Sequence, residues 1–275
     1  MFLSLYILKN QREKNGYCQF FCTFAANNTD RKAYIMRIPK VFLFIVGLLM
    51  TTTVVEAQEN DSDFETTIAA DVVSQYVWRG QDLGDVSLQP TLGVAYKGLS
   101  LSAWGNVGLS NADDTKEIDL TLAYTLGGFN IGVTDYWTND GQDPRARYFK
   151  YQAHETNHVF EANVGYDFGV ANIQWYTNFA GNDGVNNDDK RAYSSYFEVS
   201  APFRLATCDW TATVGAVPFA TDYYDTSGFA VTNLSLQATK DIHVTDAFSI
   251  PVFGQFTANP RTQKAYLVFG FTLQP

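Results

Sequence analysis

Strict alternation of apolar and polar residues, repeated along most of the chain, limits the folds open to it more than any other feature. From Leu99 to Leu109 one face reads Leu99, Leu101, Ala103, Gly105, Val107 and Leu109; the other reads Ser100, Ser102, Trp104, Asn106 and Gly108. From Glu117 to Leu126, Ile118, Leu120, Leu122, Tyr124 and Leu126 oppose Glu117, Asp119, Thr121, Ala123 and Thr125. A period of two is the signature of a strand with one wet and one apolar face. About twelve such segments follow one another, at 67–78, 86–97, 99–109, 117–126, 129–138, 158–168, 170–180, 193–203, 208–218, 229–240, 248–258 and 264–273. Most run about 10–12 residues, whereas strands of soluble proteins average about 5–6 and bilayer-spanning strands need about 9–11.

The connections alternate as well. Short turns are expected at Lys97-Gly98, Gly127-Gly128, Gly169, 204–207 and 241–247, and longer polar loops at 79–85, 110–116, 139–157, 181–192, 219–228 and 259–263. Short turns at one end and long loops at the other predict an all-β fold. It is a single antiparallel transmembrane β-barrel of about 12 strands, with periplasmic turns and extracellular loops. Closure removes sheet edges, which hydrocarbon cannot hydrate. A soluble β-sandwich would use shorter strands.

Composition fits once the alternation is seen. The chain is 46% hydrophobic and 15% aromatic but only 17% charged, against about 25% charged in ordinary domains. Its mean hydropathy of −0.15 excludes a polytopic helical membrane protein. The one long apolar run, Val41–Met50, follows Arg37 and Lys40 and precedes Val55-Glu56-Ala57. That order of basic, apolar and small residues reads as a secretory signal peptide over 36–57, cleaved after Ala57. Residues 1–35 read as an upstream extension before a natural start at Met36, or as a long basic lead-in. Residues 58–275 are then the barrel. The leader carries seven of the 19 basic and three of the 29 acidic residues, leaving 12 and 26, a net −14. An acidic exported chain does not bind nucleic acid. With Cys208 alone remaining, neither an intramolecular disulfide framework nor a cysteine metal site is expected.

One face of the segments is apolar: Val86, Leu88, Leu92, Val94 and Tyr96; Phe160, Ala162, Val164, Tyr166 and Phe168; Phe197, Val199, Ala201 and Phe203; Leu267, Phe269, Phe271 and Leu273. Aromatic residues near segment ends (Tyr76, Trp78, Tyr96, Trp137, Phe168, Phe203, Phe219) suit interfacial girdles. The opposite face is polar and partly acidic. Its lumen candidates are Asp71, Gln75, Arg79, Glu117, Asp119, Glu161, Asp167 and Glu198. An acidic lumen favours cations; the same carboxylates could instead lie at rims or in ion-paired interior networks.

The run Val73-Ser74-Gln75-Tyr76-Val77-Trp78-Arg79-Gly80, then Leu88-Gln89-Pro90-Thr91-Leu92 and Gly98 through Trp104-Gly105, resembles the TorF-type porin family of bacterial outer-membrane proteins, also grouped as "gcw" proteins. Glu117-Ile118-Asp119-Leu120 and Tyr136-Trp137 continue the likeness, which is clearest over 67–137. The resemblance implies a porin-like barrel of the bacterial outer membrane and carries Arg79 over as a mouth cation or a structural tie. It implies no particular solute.

Three other motifs are weaker. His154-Glu155-Thr156-Asn157-His158 matches the H-E-x-x-H pattern, but in an extended segment its two His lie about 13 Å apart, too far to share a zinc. A barrel hydrolase would need a Ser and a His together on the outer wall, and nothing beyond His154, His158 and His243 offers one. The loop Asn182–Asp189 is acidic but lacks EF-hand spacing. The expectation is a channel, not an enzyme, without cofactor or metal. It would pass small cationic solutes by diffusion, with membrane lipid and the barrel assembly machinery as partners. A plugged structural or adhesion barrel is the alternative, and a barrel hydrolase a more distant one.

Overall fold

In the computed structural model, residues 64–110, 114–139, 146–152, 155–245 and 248–275 are described. The leader, His154 and residues 246–247 lie outside them. Among the described residues fourteen strands form: β1 (Phe64–Val73), β2 (Tyr76–Trp78), β3 (Gln81–Gly84), β4 (Ser87–Tyr96), β5 (Leu99–Gly108), β6 (Lys116–Leu126), β7 (Phe129–Asn139), β8 (His158–Asp167), β9 (Asn172–Gly181), β10 (Ser195–Leu205), β11 (Cys208–Val217), β12 (Ala230–Thr245), β13 (Phe248–Asn259) and β14 (Lys264–Leu273). All but β2 and β3 make one closed antiparallel barrel of twelve strands, each paired with its chain neighbour. It closes where Ala70–Val73 of β1 pair with Gly270–Leu273 of β14.

The two faces sort as the alternation requires. Leu92, Val94, Tyr96, Leu122, Val164, Leu267 and Phe269 all point outward and are exposed. Their neighbours Gly93, Ala123, Asn163 and Val268 point in. An apolar outer belt on strands of this length is consistent with an outer-membrane barrel. No helix among the described residues is long and apolar enough to cross a membrane.

Two segments depart from the expected pattern. The predicted turn at 241–247 is mostly strand. β12 continues to Thr245 through a bulge at His243/Thr245, so that hairpin is longer than its neighbours. His243 therefore lies in a strand and shares a hydrogen bond with Ser249 Oγ. The larger departure is in the first segment, expected as one strand to Trp78. It stops at Val73. There Ser74 replaces a ladder partner with its side chain, since Ser74 N donates to the Phe269 carbonyl and Ser74 Oγ accepts from Phe269 N. Beyond it the chain leaves the wall, and β2 and β3 form a separate hairpin.

Candidate functional site

The β2–β3 hairpin leaves the barrel between β1 and β4 and crosses its interior. Tyr76 packs on Trp104 of β5 and donates to Glu117 Oε2 of β6 at 2.8 Å. Trp78 meets Tyr136 of β7 edge-on. The Arg79 side chain reaches Glu161 of β8, Tyr176 of β9 and Tyr196 of β10. In the barrel order β9 stands six strands from β1 in either direction, so Arg79 touches the wall opposite its own root.

The tip itself turns on Arg79, at φ 49°, and Gly80, at φ 79°. Gly80 is required there twice over. Its φ is one that side chains resist, and a Cβ would sit 1.9 Å from the Thr232 carbonyl oxygen of β12. Asn259 of β13 donates from Nδ2 to the Gly80 carbonyl at 3.0 Å, fixing the tip from the adjoining strand.

Arg79 carries the densest contacts. Nη1 and Nη2 donate to Glu161 Oε2 and Oε1 at 2.6 and 2.9 Å, a two-pronged pair. Nη1 also donates to Tyr224 Oη at 2.6 Å, and Tyr136 Oη donates to Glu161 Oε1 at 2.9 Å. The guanidinium carbon lies 4.3, 4.1 and 4.7 Å from the Trp78, Tyr176 and Tyr196 ring centres. Arginine suits such a box because its flat cation forks onto a carboxylate while stacking on rings. The side chains of Arg79 and Glu161 are 7% and 3% exposed, so the pair is shielded from water.

A second loop completes the box from outside the wall strands. Residues Asp222–Tyr224 form a single turn of 3-10 helix, capped by Thr221 and ended by Asp225 in the left-handed region. Thr221 Oγ1 also shares a hydrogen bond with Ser194 Oγ at 2.6 Å, tying this loop to the start of β10. Tyr224 stacks between Trp78 and Tyr196. Burial pushes its phenol above the usual range while Arg79 pulls it back, so it keeps its own proton as it accepts from Arg79. Gly215 of β11 makes the room, because a Cβ there would lie 1.8 Å from Tyr196 Oη.

Of the eight candidates, Arg79 and Glu161 bond directly. Glu117 and Asp119 lie side by side on β6 beneath Tyr76, both buried. Glu198 accepts from Tyr196 Oη at 2.8 Å. Asp71 accepts from Thr272 Oγ1 at 2.6 Å, and with Gln75 it lines a cavity next to the hairpin. Asp167 is apart from the rest: it sits at the turn end, where its carboxylate accepts from Gly169 N at 2.7 Å. Tyr76 and Trp78 do not belong to an outer girdle; the break at Ser74 carries both into the lumen. Sequence reasoning missed Tyr136, Tyr176, Tyr196, Tyr224 and Asn259. The Asp222-Tyr223-Tyr224-Asp225 run, two aromatics in a polar loop, was the available signal.

The weaker motifs resolve into local structure. His158 lies on the outer wall, fully buried under the 146–152 segment. Its Nδ1 meets Asp135 Oδ1 at 2.7 Å and its Nε2 meets the Tyr148 carbonyl at 2.5 Å. Both ring nitrogens are thus engaged. In the acidic loop, Asp183 accepts from Ser194 N, and Asn186 Oδ1 accepts from Asp188 N and Lys190 N; these side chains hold their own turns.

Fold and site together define a class: a closed twelve-stranded antiparallel barrel, consistent with an outer-membrane protein, whose first loop folds into its own lumen. No protein-family model and no curated protein matches the chain.

Proposed function

We propose that the protein is a bacterial outer-membrane barrel closed by its own first loop, with the long loops extracellular and the short turns periplasmic. The observation that carries this reading is the Arg79–Glu161 pair, which ties the hairpin to the far wall. Removing one partner of a buried pair strands the other charge, at a cost of about 3–5 kcal/mol, so loss of either residue should unseat the hairpin. The polar inner wall and the likeness to TorF-type porins support a second reading, a channel for small cationic solutes. Glu117, Asp119, Glu161 and Glu198 outnumber Arg79 around the hairpin, and the acidic excess favours cations. Passage would require the hairpin to leave the lumen.

Potassium efflux from proteoliposomes tests the plug. The refolded wild type is expected to leak no faster than empty vesicles, and a variant with residues 75–85 replaced by a short Gly-Ser linker to leak rapidly. Equal fast efflux from both would overturn the reading.

A further inference from the structure

On the turn-end side of the hairpin lies a cavity of about 300 Å³ that the plug does not fill. Its position follows from the strands: Gln237 and Gln255 stand nearer the turns than Thr232 and Asn259, which hold the hairpin tip. Its size is at the lower limit of small-molecule sites, roughly 300–1,000 Å³. Its wall takes two rows of register partners that meet β14 at Thr272 and at Val268. Asp71 pairs with Gln89 on one side and Thr272 on the other, and Gln237 pairs with Gln255. Gln75 and Tyr76 of the hairpin region form its remaining polar wall.

The hydrogen bonds leave a carbonyl acceptor on each of three glutamines of this wall. Asn106 Nδ2 donates to the Thr115 carbonyl at 2.6 Å, which turns Asn106 Oδ1 toward Gln89 and makes Gln89 Nε2 the donor, at 3.0 Å. Gln237 Nε2 donates to Thr239 Oγ1 and Gln255 Nε2 to Thr257 Oγ1. Each of these three glutamines spends one N–H there and keeps its carbonyl oxygen to accept from a ligand and a second N–H to donate, so the sign of the charge preferred is set by Asp71. Asp71 adds a carboxylate whose Oδ1 is held by Thr272 and whose Oδ2 is not. No Lys, Arg or His is among the lining residues, while Val73, Val77, Phe253 and Val268 supply apolar surface. A site with acceptors, one negative charge and an apolar strip is complementary to a donor-rich cation on a short hydrocarbon stem.

We propose that this cavity binds a small organic cation of the alkyl-ammonium class, with Asp71 as its charge partner and Gln89, Gln237 and Gln255 as acceptors. The inference rests on the seated hairpin, which supplies one wall. It gives the acidic lumen a specific ligand class that does not depend on the barrel conducting.

Calorimetry on the refolded full chain in detergent, with putrescine and its uncharged counterpart 1,4-butanediol as probes, tests it. Putrescine is expected to bind and butanediol to bind at least tenfold more weakly. Asp71→Asn should weaken putrescine at least tenfold, with heat-modifiable gel migration showing that the variant folds. If that variant misfolds, Gln237→Met combined with Gln255→Met serves instead and should weaken putrescine severalfold. Equal binding of the two probes, no putrescine heat with folded wild type, or unchanged affinity in the folded variant used would overturn the site. Failure here with tight vesicles leaves the plug standing; leaky wild-type vesicles reject the plug whatever the calorimetry shows.

Discussion

The loop-end and turn-end halves of the lumen are walled by the same strands and built very differently. Near the loops the inward side chains are packed away: Asn106, Asn178, Tyr196, Thr232, Thr257 and Asn259 are each at most 2% exposed. Near the turns Ser100, Ser102, Thr121, Thr134, Asn172 and Gln174 remain half-exposed. The wall cannot be the cause, because alternation supplies small and polar residues to both halves. The difference lies in what the connections can do. Turns such as Lys97-Gly98 and Gly127-Gly128 are too short to fold inward. At the other end the 74–86 connection reaches the opposite wall. Closure in such a barrel is therefore a property of its loops, here the 74–86 connection with Tyr224 of a second loop packed against it, and the wall receives them.

The largest expected effect breaks the contrast outright. Arg79→Ala leaves Glu161 buried without its charge partner, so about 3–5 kcal/mol of hairpin seating is lost. Single-channel recordings should turn from a quiet baseline to discrete steps. A smaller effect compares glycines in the two halves. Gly215→Ala pushes a methyl into Tyr196, with 1.8 Å to its hydroxyl, whereas a Cβ on Gly93 meets nothing closer than 3.4 Å. Overpacking costs typically about 1–3 kcal/mol. Denaturant unfolding in detergent should lower stability by that amount for Gly215→Ala and by less than about 0.5 kcal/mol for Gly93→Ala. The smallest effect again pairs a filled site with a wet one. Asn259→Ala removes the bond to the Gly80 carbonyl and should raise the frequency of brief openings, at about 0.5–1.5 kcal/mol. Thr121→Val breaks the hydroxyl contact with Thr134 in the half-exposed region and should leave the baseline unchanged.

The same contrast explains what could be read from the sequence. Wall strands are legible because one side of each must be apolar over its whole length; Glu117 through Leu126 matches β6 to within one residue. The inward direction of Asp71, Glu117, Asp119, Glu161 and Glu198 follows from parity alone. The hairpin has no such periodicity. Tyr76-Val77-Trp78 continues the alternation of the strand before it, and only the exchange of hydrogen bonds between Ser74 and Phe269 shows where the wall ends. The partner of Arg79 was equally hidden. Glu161 is 82 residues away, and only closure of the barrel brings it opposite. The five residues that complete the site are mostly tyrosines, whose place in wall, girdle or lumen depends on that same closure.

Planar-bilayer recording of the refolded wild type beside Glu161→Gln tests the central claim most directly. The account predicts long silent traces for the wild type, and stepwise, cation-preferring conductance once Arg79 loses its carboxylate partner. Stable wild-type steps of the same size as those of Glu161→Gln would contradict it.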